Sequence, residues 1–287
     1  MAGRGGVDKR IWDGLIPQEC YPNPAILRLN AGLTWEDAYE PLHVDIDTNK
    51  TCGVGPGLAF ANTILQKGSN FEVIGLVPCA VGGTSISEWS RGSFLYNNLI
   101  NRADVAIKDG GIIQAILWYQ GERDTIHQEV ADSYKFKLEQ FIKDLRYDLQ
   151  LPKLSFIQVG LASAEGSFID EVREAQLGMD LPNVISVDAY GLPLQQDGLH
   201  LSTVAQGTER VNDEGVTEIK VDTVDYRSPP GQVQQTVKEN VEVIHVKHPD
   251  DESGIGGGVV AGAAAKVAEK IQSAKETISG KSEGPNN

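Results

Sequence analysis

Ile112-Ile-Gln-Ala-Ile-Leu-Trp-Tyr119 is apolar at every position but Gln114. So short and continuous an apolar run reads as a strand buried on both faces, as in a parallel sheet covered by helices above and below. Three further runs have the same texture: Phe71-Glu-Val-Ile-Gly-Leu-Val-Pro78, Leu154-Ser-Phe-Ile-Gln-Val159 and Val184-Ile-Ser-Val187. Helical patterns fill the spaces around them. Gly57 to Gln66 is one, Phe94 to Lys108 a second, and Glu171 to Leu181 a fourth. The third, Ser133 to Leu145, is the clearest, with Tyr134, Leu138, Phe141 and Leu145 on one face. Strand alternating with helix predicts a three-layer α/β/α sandwich around a parallel sheet.

This pattern stops near Gln206. The chain holds 4 Trp, 7 Phe and 8 Tyr residues, and of these only Tyr226 lies beyond that point. Aromatic side chains supply much of a core's buried area. Residues 1–206 are therefore read as one α/β domain, and 207–287 as a tail poor in aromatic residues. Val216 to Tyr226 and Val241 to Val246 are strand-like. Ser228-Pro-Pro-Gly231 is a turn or linker, and 264–279 is a possible helix with a disordered end beyond it.

Composition narrows the function. The 287 residues carry a formal net charge of -15, which argues against nucleic acid or an anionic membrane as partner. No apolar run approaches the roughly 18 residues of a transmembrane helix. Cys20, Cys52 and Cys79 are odd in number and lack metal-ligand spacing. They read as reduced thiols, with a cytoplasmic location expected and no metal site. His245 and His248 lack a third ligand nearby.

Polar, glycine-bearing stretches follow three of the strands. These are Cys79-Ala-Val-Gly-Gly-Thr-Ser-Ile-Ser-Glu-Trp89, Trp118-Tyr-Gln-Gly-Glu-Arg-Asp124 and Asp197-Gly-Leu-His200. All fall at the carboxyl edge of the expected sheet, where such folds bind ligands. An Asp three residues before a His can orient an imidazole that takes a proton from a nucleophile. Each stretch alone also has a plainer reading. Asp197 can cap a turn, Gly82 and Gly83 can serve a tight bend, and Gln120 can be a satisfied polar group at a strand end. Glu122 and Arg123 can form a local ion pair, and Ser85 and Ser87 can be loop or N-cap residues.

Together with the opening Met1-Ala-Gly-Arg-Gly-Gly6, these stretches resemble the SGNH hydrolase superfamily. The closest branch is the plant carbohydrate esterases with a sialate O-acetylesterase-like domain. The resemblance covers Met1 to about Gln206. It implies a serine esterase acting on an O-acetylated carbohydrate, with no cofactor. Asp197 and His200 would be catalytic, Gly83 and Gln120 would line the oxyanion hole, and Gly82, Thr84 and Glu122 would contact substrate. In that family a Gly-Gln-Ser-Asn segment precedes the Met-Ala-Gly-Arg-Gly-Gly residues and carries the nucleophile. The resemblance therefore implies a sheet without its first strand and impaired turnover. The alternative is a catalytically inactive glycan-binding or interaction module. Arg123 stands where the family usually has Ser.

Overall fold

The computed structural model describes residues 2–68, 70–108, 110–202, 208–211, 217–227 and 237–247. The strands in chain order are β1 (Val7–Asp8), β2 (Ile11–Trp12), β3 (Ile26–Leu29), β4 (Trp35–Asp37), β5 (Ile74–Leu76), β6 (Ala115–Trp118), β7 (Ser155–Gly160) and β8 (Val184–Asp188). After these come β9 (Thr208–Val211), β10 (Thr217–Arg227) and β11 (Val237–Lys247). The helices are α1 (Pro56–Gln66), α2 (Phe94–Ile107), α3 (Gln128–Asp148) and α4 (Ile169–Leu177).

The chain is an α/β protein with parallel strands, as its alternating runs imply. The strands β6, β7 and β8 are parallel neighbours, in register Ile116 with Phe156 and Ile157 with Ile185. Helices cover both faces, and adjacent residues of β7 show why. Phe156 faces the cluster built on Tyr134, Leu138 and Phe141 of α3, whereas Ile157 lies in a cluster with Phe60 of α1. Phe141 is the hub of the larger cluster. Its ring centroid is 4.6 Å from Trp118, 6.1 Å from Tyr96, 6.3 Å from Phe156 and 6.4 Å from Trp89. Burying one such side chain contributes about 1.5–3 kcal/mol.

The sheet lies in two pieces, β4-β3-β5 and β6-β7-β8. No ladder joins β5 to β6 among the described residues. Side chains hold the two pieces instead, as the loops after β5 and β6 show below. On the other side of β5, Arg102 of α2 donates to the carbonyls of Leu29 (2.6 Å) and Asn30 (3.0 Å), tying α2 to the end of β3.

Two boundaries differ from expectation. The helix α3 begins before Ser133 and runs on to Asp148, since Gln128 to Asp132 continue its polar face without a breaker. The helix α4 starts at Ile169 and stops at Leu177, ahead of the expected Leu181, because Gly178 caps it and donates to Glu174 O. Four short strands, β1 to β4, were not foreseen. Arg28 in β3 is buried. It pairs with Glu36 (2.7 Å) and Asp45 (2.9 Å) and donates to Leu42 O (2.8 Å). This buried cation, satisfied on all sides, fixes the segment from which Asp47 and Lys50 reach the site.

In the tail, β10 pairs antiparallel with both β9 and β11. The strands β10 and β11 overlap the strand-like stretches of the sequence. The candidate helix 264–279 lies outside the described residues.

Candidate active site

Four loops meet beyond the carboxyl ends of β5, β6 and β8. The loop after β8 is pinched at its base by a Leu194–Leu201 bridge and by Gln195 N–H donating to His200 O (2.7 Å). At its tip, Asp197 Oδ1 accepts the amides of Leu199 (2.9 Å) and His200 (3.0 Å), and Oδ2 lies 2.6 Å from His200 Nδ1. Asp197 thus caps the turn and orients the imidazole together. A proton on Nδ1, shared with the carboxylate, leaves the Nε2 lone pair free to act as a base. Burial works to raise the Asp197 carboxyl, but the bonds from His200 and Leu199 outweigh it and hold it below its ordinary range. Ser163 Oγ donates to Leu199 O and braces the loop from behind.

The loop after β5 makes a turn at Gly82 and Gly83. Gly82 N–H donates to Asp47 Oδ2 (3.0 Å), and Gly83 O accepts from Arg123 Nη1 (2.7 Å). Gly83 has φ +73°, a left-handed conformation suited to glycine. A Cβ on Gly82 would lie 2.6 Å from Arg4 Nη2, so this glycine permits a close approach. Among the described residues the Gly83 N–H has no hydrogen-bond partner. Thr84 is held inward: its hydroxyl donates to Val81 O (2.9 Å) and accepts from Trp89 Nε1 (3.0 Å).

The loop after β6 locks onto this turn. Gln120 Nε2 donates to Thr84 O (2.9 Å) and to Asp124 Oδ2 (2.6 Å), while Tyr134 OH donates to its carbonyl groups. Both amide hydrogens of Gln120 are therefore engaged within the protein. Asp124 is fully buried and also accepts Ile86 N–H on both oxygens at 3.1 Å. Burial raises its carboxyl above the ordinary range, against the opposing bonds from Gln120 and Ile86. The three residues bridge β5 and β6 where no backbone ladder does.

Arg4 joins the remaining pieces. Its Nη2 pairs with Asp47 Oδ2 at 2.6 Å, its Nη1 donates to Thr51 O at 2.6 Å, and its own carbonyl accepts Gln195 Nε2 at 2.6 Å. One residue thus touches the loop that bears His200 and the carboxylate that holds Gly82. Arg4, Tyr119, Glu122, Leu199 and His200 line a narrow cleft. Burial raises the Glu122 carboxyl above its ordinary range. Glu122 and Arg123 form no ion pair with one another.

Of the residues singled out in the sequence, His200, Asp197 and Glu122 gather at or beside this cleft. Gly82, Gly83 and Thr84 adjoin it through Arg4 and Asp47, and Gln120 braces them. Arg4, Asp47, Asp124 and Gln195 were missed. Arg4 and Asp124 lay within recognised stretches, and nothing in the sequence marked Asp47 as the partner of Arg4. Ser85 Oγ and its amide both donate to Glu88, and Ser87 Oγ accepts from Lys137. No described serine or cysteine bonds to the His200 ring. Among the described residues no group of His, Cys, Asp or Glu is placed to hold a metal ion. No helix of the described residues is long and apolar enough to cross a membrane.

Residues 1–209 match a family model described as carbohydrate esterase, sialic acid-specific acetylesterase. A probable carbohydrate esterase of Arabidopsis thaliana is 56% identical over 213 residues, covering 72% of this chain and 82% of that relative. An X-ray structure of an Arabidopsis thaliana protein aligns with a TM-score of 0.68 at 56% identity, over 71% of this chain and 87% of the other.

Proposed function

Because this chain belongs to the carbohydrate esterase family of sialic acid-specific acetylesterases, we propose that the Asp197–His200 loop is the acid–base half of its ester-hydrolysing site. The family acts on acetyl esters of carbohydrates. The bond of 2.6 Å between Asp197 Oδ2 and His200 Nδ1 carries the reading. It presents Nε2 as the base that takes the proton of an attacking hydroxyl. The oxygen adds to the acyl carbon, and the carbonyl electron pair moves to the acyl oxygen. The free Gly83 N–H is the proposed donor to that oxyanion. As the sugar C–O bond to the acyl carbon breaks, His200 returns its proton to the departing sugar oxygen. Water then repeats the sequence on the acyl group. Glu122, half-buried in the same cleft, is proposed to contact the sugar. Gln120, Gly82 and Thr84 support the reading as the frame of the turn that holds Gly83.

The nucleophilic hydroxyl is a separate question. None of the described serines bonds to His200, which favours a second reading in which the 287 residues alone bind acetylated glycan and turn it over poorly. One experiment covers both. Release of acetate from an O-acetylated sugar is measured for the chain as given, and for a version extended before Met1 by a strand ending in Gly-Gln-Ser-Asn. The expected result is turnover near the buffer rate for the first and clear hydrolysis for the second. His200→Ala should lower the latter by about a thousandfold or more. Turnover in the extended protein that survives His200→Ala would remove His200 from the site. Turnover of the chain as given that His200→Ala abolishes would place the nucleophile within it.

A further inference from the structure

The Gly83 turn has a feature that the esterase reading leaves unused. Lys50 Nζ lies 2.4 Å from the point a Cβ on Gly83 would occupy. Arg123 reaches the same glycine through its bond to Gly83 O (2.7 Å). Neither cation has a carboxylate within ion-pair distance among the described residues. Two unpaired cations at one glycine are unusual in a chain with 40 acidic and 25 basic residues. The nearby carboxylates are engaged elsewhere. Asp47 is paired with Arg4 at 2.6 Å, and Glu88 accepts from Ser85. The ammonium and guanidinium repel one another, and an anion between them relieves that repulsion.

The turn is built to hold such an anion. Three of its polar groups are occupied: Gly82 N–H by Asp47, Gly83 O by Arg123, and Thr84 O by Gln120. The Gly83 N–H has no partner among the described residues, and Lys50 Nζ reaches the same residue. Gln120, expected as the side-chain donor to the oxyanion, has both amide hydrogens committed. A charged donor is worth about twice a neutral one in this role.

We propose that Lys50 is a catalytic residue, whose ammonium joins the Gly83 N–H in holding the acyl oxyanion. Arg123 is a positioning residue that fixes the Gly83 peptide. The electron pair moved from the carbonyl bond is stabilised on the oxygen by Lys50 and returns when the bond to the sugar oxygen breaks. No proton leaves Lys50. This assignment rests on the esterase reading.

The test uses the full chain and methylphosphonate, a tetrahedral anion that needs no nucleophile to bind. Amide resonances are followed by nuclear magnetic resonance during titration. The Gly83 amide should shift and saturate, with the Gln120 side-chain amide unmoved. Lys50→Met should weaken binding about tenfold, Lys50→Arg should restore most of it, and Arg123→Ser should broaden the Gly83 resonance. Lys50 is exposed, so its variants should fold, and their spectra away from the turn verify this. Equal affinity in Lys50→Met, or a response at Gln120 in place of Gly83, would overturn the proposal. Intact phosphonate binding with no hydrolysis in the extended protein would sink the esterase reading while sparing the anion site.

Discussion

Removing the Arg4 cation should destabilise the domain more than any other single charge change near the cleft. In Arg4→Met, Asp47 keeps only the Gly82 amide on Oδ2, and its Oδ1 is already buried without a partner. The Asp47 side chain is 1% exposed, so water cannot replace the guanidinium. Breaking a buried pair in this way costs about 3–5 kcal/mol. The orphaned Thr51 carbonyl adds about 1 kcal/mol. A domain near 200 residues loses roughly 2–4 °C of Tm per kcal/mol. The expected drop is therefore about 10–20 °C. The comparison is Lys143→Met, which breaks the exposed Lys143–Glu139 pair of 3.5 Å and should cost about 0.5 kcal/mol or less. Adding Asp47→Leu to Arg4→Met removes the stranded carboxylate and should recover much of the loss. Thermal and urea unfolding, followed by tryptophan fluorescence, measure all four proteins. A loss in Arg4→Met no larger than in Lys143→Met, or no recovery in the double variant, would refute the reasoning.

Three further outcomes are expected. Burial lifts the Glu40 carboxyl to about 8, despite the amides of Leu42 and Gly55 that it accepts. The folded protein thus binds a proton that the unfolded chain releases, and stability falls as the pH rises from its ordinary value to about 8. Glu40→Gln should flatten that slope in urea titrations between pH 5 and 9, and an unchanged slope would assign it to another group. At Asp197, whose folded carboxyl lies below its ordinary range, the bond to His200 contributes above that range and is lost as the pH falls through the folded value. In the neutral imidazole the proton should therefore sit on Nδ1, facing Asp197, as the imidazole nitrogen shifts would report. Asp197→Asn should move the proton to Nε2, and the same tautomer in both proteins would argue against Asp197 as orienter. Finally, the unpaired β5 and β6 edges, with Leu117 39% exposed on a strand of core character, should bind the dye ANS. The extended protein should bind less, and equal binding would place the dye elsewhere.

The sequence was most legible where apolar period and strand length agree. Phe71 to Pro78, Ile112 to Tyr119, Leu154 to Val159 and Val184 to Val187 each overlap a strand of the structure, and the four helical patterns each overlap a helix. The first two runs overstate their strands because apolar residues such as Ile112 continue past the ladder, where Ile112 itself is exposed. The hairpin of β3 and β4 was hidden because its buried centre is an arginine, whose burial depends on Glu36 and Asp45. Asp197 and His200 were readable because their contact is local, spanning three residues. Asp47 and Arg4 are 43 residues apart, and no local pattern joins them. The same holds for Gln120, for which the family resemblance implies an oxyanion donor. Only the packing shows that Thr84 and Asp124 occupy its amide.

The division of the sheet between β5 and β6 also has a mechanical meaning. Where a continuous ladder would distribute strain over many backbone bonds, here it passes through Gln120, Arg123 and Asp124 to Thr84, Gly83 and Ile86. That boundary is the molecule's fault line. Pulled from its two sides, the domain should yield there first at low force. At rest, the amides of β3 and β5 should exchange with solvent as one cooperative group and those of β6 to β8 as another. An extended strand bound between β5 and β6 would merge the two groups and move the weakest seam to another part of the fold.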